Sequence, residues 1–200
     1  MSPELEAQIL AELPRLQGWM TSQRALLLAE TITKEKPQAC LEIGTFGGQS
    51  AIMQALALKE NGSGVLYCID PWKKDDCLEG ENDANRQWWS TVDLEEVHQG
   101  FMVALWRLGL DKIVIPIRAA SHNCHGLFAD ESLDSLLIDG NHAEEPSCRD
   151  LQLYLPRLKK GGILICDDCD WPSTQKMMGI IREKCEKVSG DEHFQIYRKP

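Results

Sequence analysis

Two apolar runs in this chain end in carboxylates at positions that could meet. Residues 133–138 lead into Asp139-Gly140-Asn141-His142, and residues 162–166 lead into Asp167-Asp168. If both runs are neighbouring strands of a parallel sheet, their carboxyl ends lie along one edge, and Asp139, Asp167 and Asp168 can converge. Carboxylates crowded in this way repel unless a cation neutralises them or they take up protons. Oxygen-only ligands suit a hard divalent cation such as Mg²⁺, which keeps positions for water or substrate oxygens. Such an ion would hold a substrate hydroxyl or vicinal diol, lower its pKa and orient it for attack. His142, three residues beyond Asp139, is close enough to act as general base on that hydroxyl. The competing role for His142 is a loop histidine capping the next helix. For Asp168 alone an N-cap or turn role would be the default, but the doublet after a buried strand favours metal.

A second constellation lies at residues 40–50, Cys-Leu-Glu-Ile-Gly-Thr-Phe-Gly-Gly-Gln-Ser. A buried strand ends in a glycine turn and a helix begins. Gly44, Gly47 and Gly48 let the backbone turn tightly and approach a ligand without Cβ clashes. The spacing is E-x-G-x-x-G-G and differs from the G-x-G-x-x-G of nicotinamide sites. Glu42, still on the strand, can meet a cationic amino group, and the helix N-terminus can receive a carboxylate. The methionine moiety of S-adenosylmethionine carries both groups. Asp70 ends the next apolar run, where a carboxylate can accept from both hydroxyls of a ribose.

Two other clusters are tempting and are read as structural. Cys166 and Cys169 bracket the aspartate doublet with C-x-x-C spacing. Cys166 belongs to the strand, and no second C-x-x-C exists to complete a zinc site. His122, Cys124 and His125 fall at the start of a short helical pattern, where a surface or packing role is expected. Met177 and Met178 are assigned to the core.

The elements that must position these groups follow from hydrophobic periodicity. Helical patterns cover 3–17 and 21–34, with Gly18 and Thr21-Ser22 as break and cap. From residue 39, short apolar runs at 39–43, 65–69, 113–117, 133–138 and 162–166 alternate with helical patterns at 48–60, 93–108, 121–129 and 143–159. That alternation predicts a parallel sheet covered on both faces. A helix near 173–183 precedes a C-terminal antiparallel hairpin of 185–188 and 194–198. Residues 71–92 are polar and acidic, carry Trp72, Trp88 and Trp89, and are read as an active-site loop at the ligand-binding edge. The whole chain is expected to form one domain, with residues 1–36 as N-terminal helices.

Composition narrows the classes further. The chain has 200 residues, 43% hydrophobic and 26% charged, with a formal net charge of −10. Phosphate binding relies on basic patches, so nucleic acid is an unsuitable partner and a small-molecule acceptor or a cation is better suited. The N-terminus lacks the charge and apolar core of a signal peptide, and no run reaches the ~20 residues that span a bilayer. Eight dispersed cysteines suit reduced thiols in a cytoplasm. Homo-oligomer formation is left open.

Together these residues resemble the class I S-adenosylmethionine-dependent methyltransferases. Within them they resemble most the metal-dependent O-methyltransferases of small molecules, the group of the macrocin and macrolide-sugar enzymes. The resemblance spans about 21–200 and rests on LEIGTFGGQS, YCIDPW, LLIDGNH followed by RDLQLYLPRLKKGGILICDD, and the terminal YRKP. It implies a Rossmann-like α/β sandwich with a seven-stranded sheet of order 3-2-1-4-5-7-6. It implies that Glu42, Gly44, Thr45, Phe46, Gly47 and Ser50 shape the methionine pocket. Asp70, with Trp72, would hold the ribose side, Ala119, Ala120 and Ser121 the adenine side, and Asp139 would border the cofactor. Asp139, Asp167 and Asp168 match the metal triad, and His142 matches the candidate base. The group's usual tyrosine two residues after D-G-x-H is replaced here by Glu144, with Pro146 close behind, so its acceptors are not transferred. The expected function is metal-assisted O-methylation of a hydroxylated small molecule. The alternatives are a cofactor-binding protein without transferase activity, a nicotinamide oxidoreductase, and metal-independent methyl transfer to nitrogen or carbon.

Overall fold

Apolar runs too short for helices but rich in Leu and Ile pair here into one sheet, and amphipathic segments between them cover its faces. The computed structural model describes residues 1–80 and 82–200. The strands are β1 (Ala39–Ile43), β2 (Val65–Asp70), β3 (Val114–Arg118), β4 (Leu133–Ile138), β5 (Leu158–Cys166), β6 (Glu186–Gly190) and β7 (Gln195–Arg198). Their order is β3-β2-β1-β4-β5-β7-β6. The first five run parallel, and β7 pairs antiparallel with both β5 and β6. Fold class, strand order and C-terminal hairpin are those expected from the sequence.

Two apolar layers sandwich the sheet. One holds α1 (Pro3–Glu12), α2 (Ser22–Glu35), α3 (Gln49–Asn61) and α6 (Leu94–Leu108); the other holds α7 (Glu144–Tyr154) and α8 (Gln175–Lys184). Ser50 to Leu58 of α3 are all buried, since α1 and α2 cover its outer face. Met177 and Met178 are buried in the second layer, as expected. Local chemistry fixes the helix ends. Asp93 caps α6 by accepting from the N–H groups of Glu95 and Glu96, and Thr21 caps α2 through Arg24 N–H. Arg107 of α6 holds Glu12 of α1 through two hydrogen bonds, at 3.1 and 2.5 Å.

Several boundaries differ from the sequence reading. Residues 71–92 are not a bare loop: they contain α4 (Lys74–Cys77) and α5 (Asp83–Thr91), with Glu81 outside the described residues. Asn82 caps α5 by accepting from Asn85 N–H, and Glu79 is gripped by Arg149 at 2.9 and 2.7 Å. The expected helix at 121–129 is two short 3₁₀ turns, Ser121–Asn123 and His125–Leu127, too few residues to repay helix nucleation. The pattern at 143–159 ends as α-helix at Tyr154, because Pro156 follows and β5 begins at Leu158. Among the described residues no helix is long and apolar enough to cross a membrane.

Candidate functional site

The glycine turn is built against the ends of two other strands. Gly44 has φ +85°, and a Cβ there would lie 2.0 Å from the carbonyl oxygen of Asp139. Asp139 N–H in turn donates to Ile43 O at 2.9 Å, so the ends of β1 and β4 are locked together. Phe46 and Trp72 also adopt the left-handed conformation, at φ +48° and +42°. Asp70 holds both. Its Oδ2 accepts from the N–H groups of Thr45 (3.0 Å) and Phe46 (2.8 Å), and its Oδ1 accepts from Trp72 N–H at 2.7 Å. The Trp72 indole then donates to Phe46 O at 2.9 Å. Burial raises the pKa of Asp70, while these backbone donors pull it back down.

Helix α3 starts at the end of this turn with Gly48 as N-cap and no capping side chain. Its first N–H groups are therefore open to an anion. The Gln49 amide instead ties the N-terminal segment down, donating to Leu13 O and Leu16 O and accepting from Met20 N–H.

A cavity of about 680 Å³ opens over these strand ends, a size that suits a small ligand. Gly44, Thr45, Phe46, Ser50, Asp70, Ala120, Ser121, Asp139, His142, Asp167 and Asp168 all line it. Glu42, Gly47 and Trp72 do not. Gly47 packs on the backbone of Gln17, and Trp72 lies between His98 and Phe101. Glu42 has no exposed surface and its Oε2 accepts from the Gln54 amide at 2.6 Å. It sits behind the turn, where the sequence reading placed it against the ligand.

Burial pushes Glu42 from 4.5 up to about 8, against the lowering effect of the Ser50 and Thr45 hydroxyls. A carboxyl raised on folding contributes stability that is full below 4.5 and is lost as pH rises through about 8. Glu42→Gln is therefore expected to flatten that loss. Urea unfolding of both proteins at acidic, neutral and alkaline pH should show the variant gaining on the parent as pH rises.

The carboxylates meet with two histidines. His142 Nε2 touches Asp168 Oδ2 and lies 3.7 Å from Asp139 Oδ1. His193 Nε2 lies 2.6 Å from Asp168 Oδ1 and 3.4 Å from Asp167 Oδ1. The three aspartates thus do not close on one point. Asp139 groups with His142 and Asp168, while Asp167 groups with Asp168 and His193. Burial and the neighbouring carboxylates raise Asp139 well above the ordinary range, and the same two causes raise Asp168 to about 6. His142, half-buried and beside His193, is lowered by desolvation to about 4 and is neutral near pH 7. Its ring rests against Trp171, with centroids 4.9 Å apart.

Sequence reasoning missed several groups. His193 comes from the β6–β7 turn, and Arg24 reaches Asp167 at 4.0 Å from α2. Asp150 of α7 is buried, lines the cavity and accepts from the Ser121 hydroxyl at 2.5 Å. Trp19, also missed, joins the Phe46, Trp88 and Trp89 that the sequence points to in one aromatic wall, with neighbouring ring centroids 4.8–6.4 Å apart. Glu144 pairs with Lys176 outside the cavity. Cys166 and Cys169 are both buried at the end of β5, and the Cys169 thiol donates to Cys166 O at 3.3 Å. Of the His122, Cys124 and His125 cluster, only His122 reaches the cavity; Cys124 is buried.

Residues 41–169 match the model of a family described as a methyltransferase domain. The chain belongs to this methyltransferase family. It is also 30% identical over 143 residues to an uncharacterized protein of Acanthamoeba polyphaga mimivirus, a match covering 70% of this chain and 55% of that protein. The chain therefore spans little more than half the length of that relative. Among solved structures it is similar to the methyltransferase PaMTH1 of Podospora anserina, solved with S-adenosylhomocysteine (TM-score 0.70, 13% identity, 100% of this chain and 89% of that one). It is also similar to the O-methyltransferase TomG of Streptomyces achromogenes (0.65, 16%, 100% and 91%) and to an O-methyltransferase of Bacillus cereus (0.64, 14%, 100% and 92%). The resemblance to class I methyltransferases read from the sequence is borne out at the level of family and fold.

Proposed function

We propose that this chain transfers a methyl group from S-adenosylmethionine to a hydroxyl oxygen of a small molecule, assisted by a divalent cation. The observation that carries this reading is that the glycine turn with Asp70 and the carboxylate cluster open into one cavity. A cofactor half and a reaction half are thereby side by side. The solved O-methyltransferases with this fold, TomG with S-adenosylmethionine among them, support it.

The donor set fits a divalent cation. Three carboxylates stand at the ends of β4 and β5; burial raises the pKa of all three, and neighbouring carboxylates of the cluster raise Asp139 and Asp168 further, a cost that a cation would remove. Asp167 and Asp168 would hold it, with Asp139 on the His142 side of Asp168. When bound, S-adenosylmethionine supplies an electrophilic methyl on a positively charged sulfur, and the cation lowers the pKa of the acceptor hydroxyl.

The chain's own residues supply position. The open N-terminus of α3 with Ser50 takes the methionine carboxylate, and Asp70 uses its remaining lone pair, on Oδ1, for a ribose hydroxyl. Ala120 and Ser121 border the adenine, with Asp150 fixing the Ser121 hydroxyl. His142, neutral near pH 7, accepts the hydroxyl proton at Nε2. Trp19, Trp88 and Trp89, from the N-terminal segment and residues 71–92, cover the cavity and keep water out. Alignment of acceptor and methyl accounts for much of the acceleration.

The test is transfer of labelled methyl from S-adenosylmethionine to a panel of hydroxylated metabolites, before and after chelation. Chelation is expected to reduce turnover on the order of 10²-fold or more, with recovery on adding a divalent cation. Undiminished turnover would remove the cation from the reaction. Calorimetry should show binding of S-adenosylmethionine and none of NAD.

A further inference from the structure

We propose that His193 is a ligand of the cation centre, and that it turns an oxygen site into a mixed nitrogen–oxygen site preferring first-row transition ions to Mg²⁺. The inference rests on the metal-assisted reading above and deepens it.

His193 lies in the turn joining β6 to β7, 25 residues past Asp168, and the hairpin's pairing with β5 folds it back over the aspartate doublet. Its Nε2 faces Asp168 Oδ1 at 2.6 Å and Asp167 Oδ1 at 3.4 Å. Ligand atoms ~2.1 Å from a common ion at right angles lie roughly 3 Å apart, and both distances from His193 Nε2 are near that spacing.

The other side of the ring is equally specified. Nδ1 lies 2.7 Å from Asp170 Oδ1. A carboxylate on the far nitrogen would keep the proton on Nδ1 once an ion displaced it from Nε2, leaving Nε2 as a directed lone pair, which is how metal-binding histidines are oriented. The backbone is pinned as well. His193 N–H donates to Asp191 Oδ1 at 2.8 Å, and its carbonyl accepts from Cys169 N–H at 2.8 Å. Arg24 holds Asp191 from the other side at 3.6 Å. The ring is thus aimed at the doublet by contacts that do not involve an ion.

Donor chemistry then decides the ion. All-oxygen sites suit Mg²⁺, whereas imidazole favours later first-row ions. His193 brings one imidazole nitrogen to Asp168 Oδ1, while His142, the base, stands at Oδ2. The Mg²⁺ expected from the carboxylates alone gives way to a transition ion. Asp170 is a positioning residue, acting through the His193 ring.

The experiment titrates the metal-free full chain with CoCl₂ and separately with MgCl₂, by calorimetry and by the visible absorption of Co²⁺. Wild type is expected to bind Co²⁺ more tightly than Mg²⁺. His193→Gln should lose about 10–100-fold in Co²⁺ affinity and change the absorption, with Mg²⁺ affinity nearly unmoved, and Asp170→Asn should show a smaller loss of the same kind. A His193→Gln protein with the wild-type Co²⁺ affinity and spectrum overturns the proposal and leaves the metal-assisted reading standing. Wild type that binds neither ion overturns both. A second measurement needs no variant. In wild type carrying nitrogen-labelled histidine, Co²⁺ should shift or broaden the His193 ring signals, and unmoved His193 signals in the loaded protein count against it.

Discussion

Gly44→Ala is expected to destabilise the protein by about 4 kcal/mol or more, at the extreme of single-residue effects. Two costs combine. At φ +85° a Cβ meets its own backbone, worth about 1–2 kcal/mol. The same Cβ would sit 2.0 Å from Asp139 O and 2.7 Å from Gly140 Cα, both backbone atoms that cannot swing aside. Relief requires parting β1 from β4 and breaking the bond from Asp139 N–H to Ile43 O. Gly62→Ala separates the two costs. Gly62 has φ +72° and nothing within 4 Å of its would-be Cβ, so it should show the conformational cost alone. Urea unfolding of both variants measures the difference. Gly44→Ala no worse than Gly62→Ala would mean the strand ends do not approach this closely. Because the same approach brings Asp139 against the cofactor turn, the surviving folded fraction should also bind S-adenosylmethionine poorly.

The sheet was legible because its signal is local. Strands β1 and β4 match their apolar runs residue for residue, since buried parallel strands need continuous apolar sequence. Strand β5 begins earlier than its apolar run. Lys159 and Lys160 precede Gly161 at φ +75°, and the pairing with β4 shifts register there, so the charged part of the strand left no apolar trace. Helix α5 was invisible for a different reason. Its sequence is polar, and what holds it is tertiary: Trp89 packs against Phe46 edge to face, and Arg86 reaches back to Leu78 O.

The site was legible where it follows strand ends and illegible where it depends on folding back. Asp70, Asp139, Asp167 and Asp168 follow apolar runs directly, and all four reach the cavity. His193 sits in a polar turn of a hairpin, with no pattern of its own to mark it. Asp150 reads as a solvated helix position, yet α7 turns it inward to Ser121. Glu42 shows the converse. A carboxylate next to a glycine turn invites a ligand, but its side chain lies behind the turn, paired with Gln54.

Asp168→Asn is expected to separate catalysis from stability. Asp168 adopts φ +51°, a conformation that asparagine tolerates and alanine does not, so the amide keeps the backbone while removing the charge. Three effects should follow. Removing one of three crowded carboxylates relieves repulsion, so the metal-free variant should melt no lower than wild type. Cofactor affinity should be nearly unchanged, because the glycine turn and Asp70 contacts do not involve residue 168. Methyl transfer should fall on the order of 10²-fold or more, since the variant loses the anionic oxygens that both histidines face. Thermal melting, calorimetry with S-adenosylmethionine and labelled-methyl transfer measure the three independently. A drop in activity with equal loss of cofactor binding would point to a collapsed turn, and unchanged activity would mean that the carboxylate cluster is bystander to the reaction. The combination expected here, lower turnover in a protein at least as stable, is the signature of charges kept together for chemistry against their own repulsion.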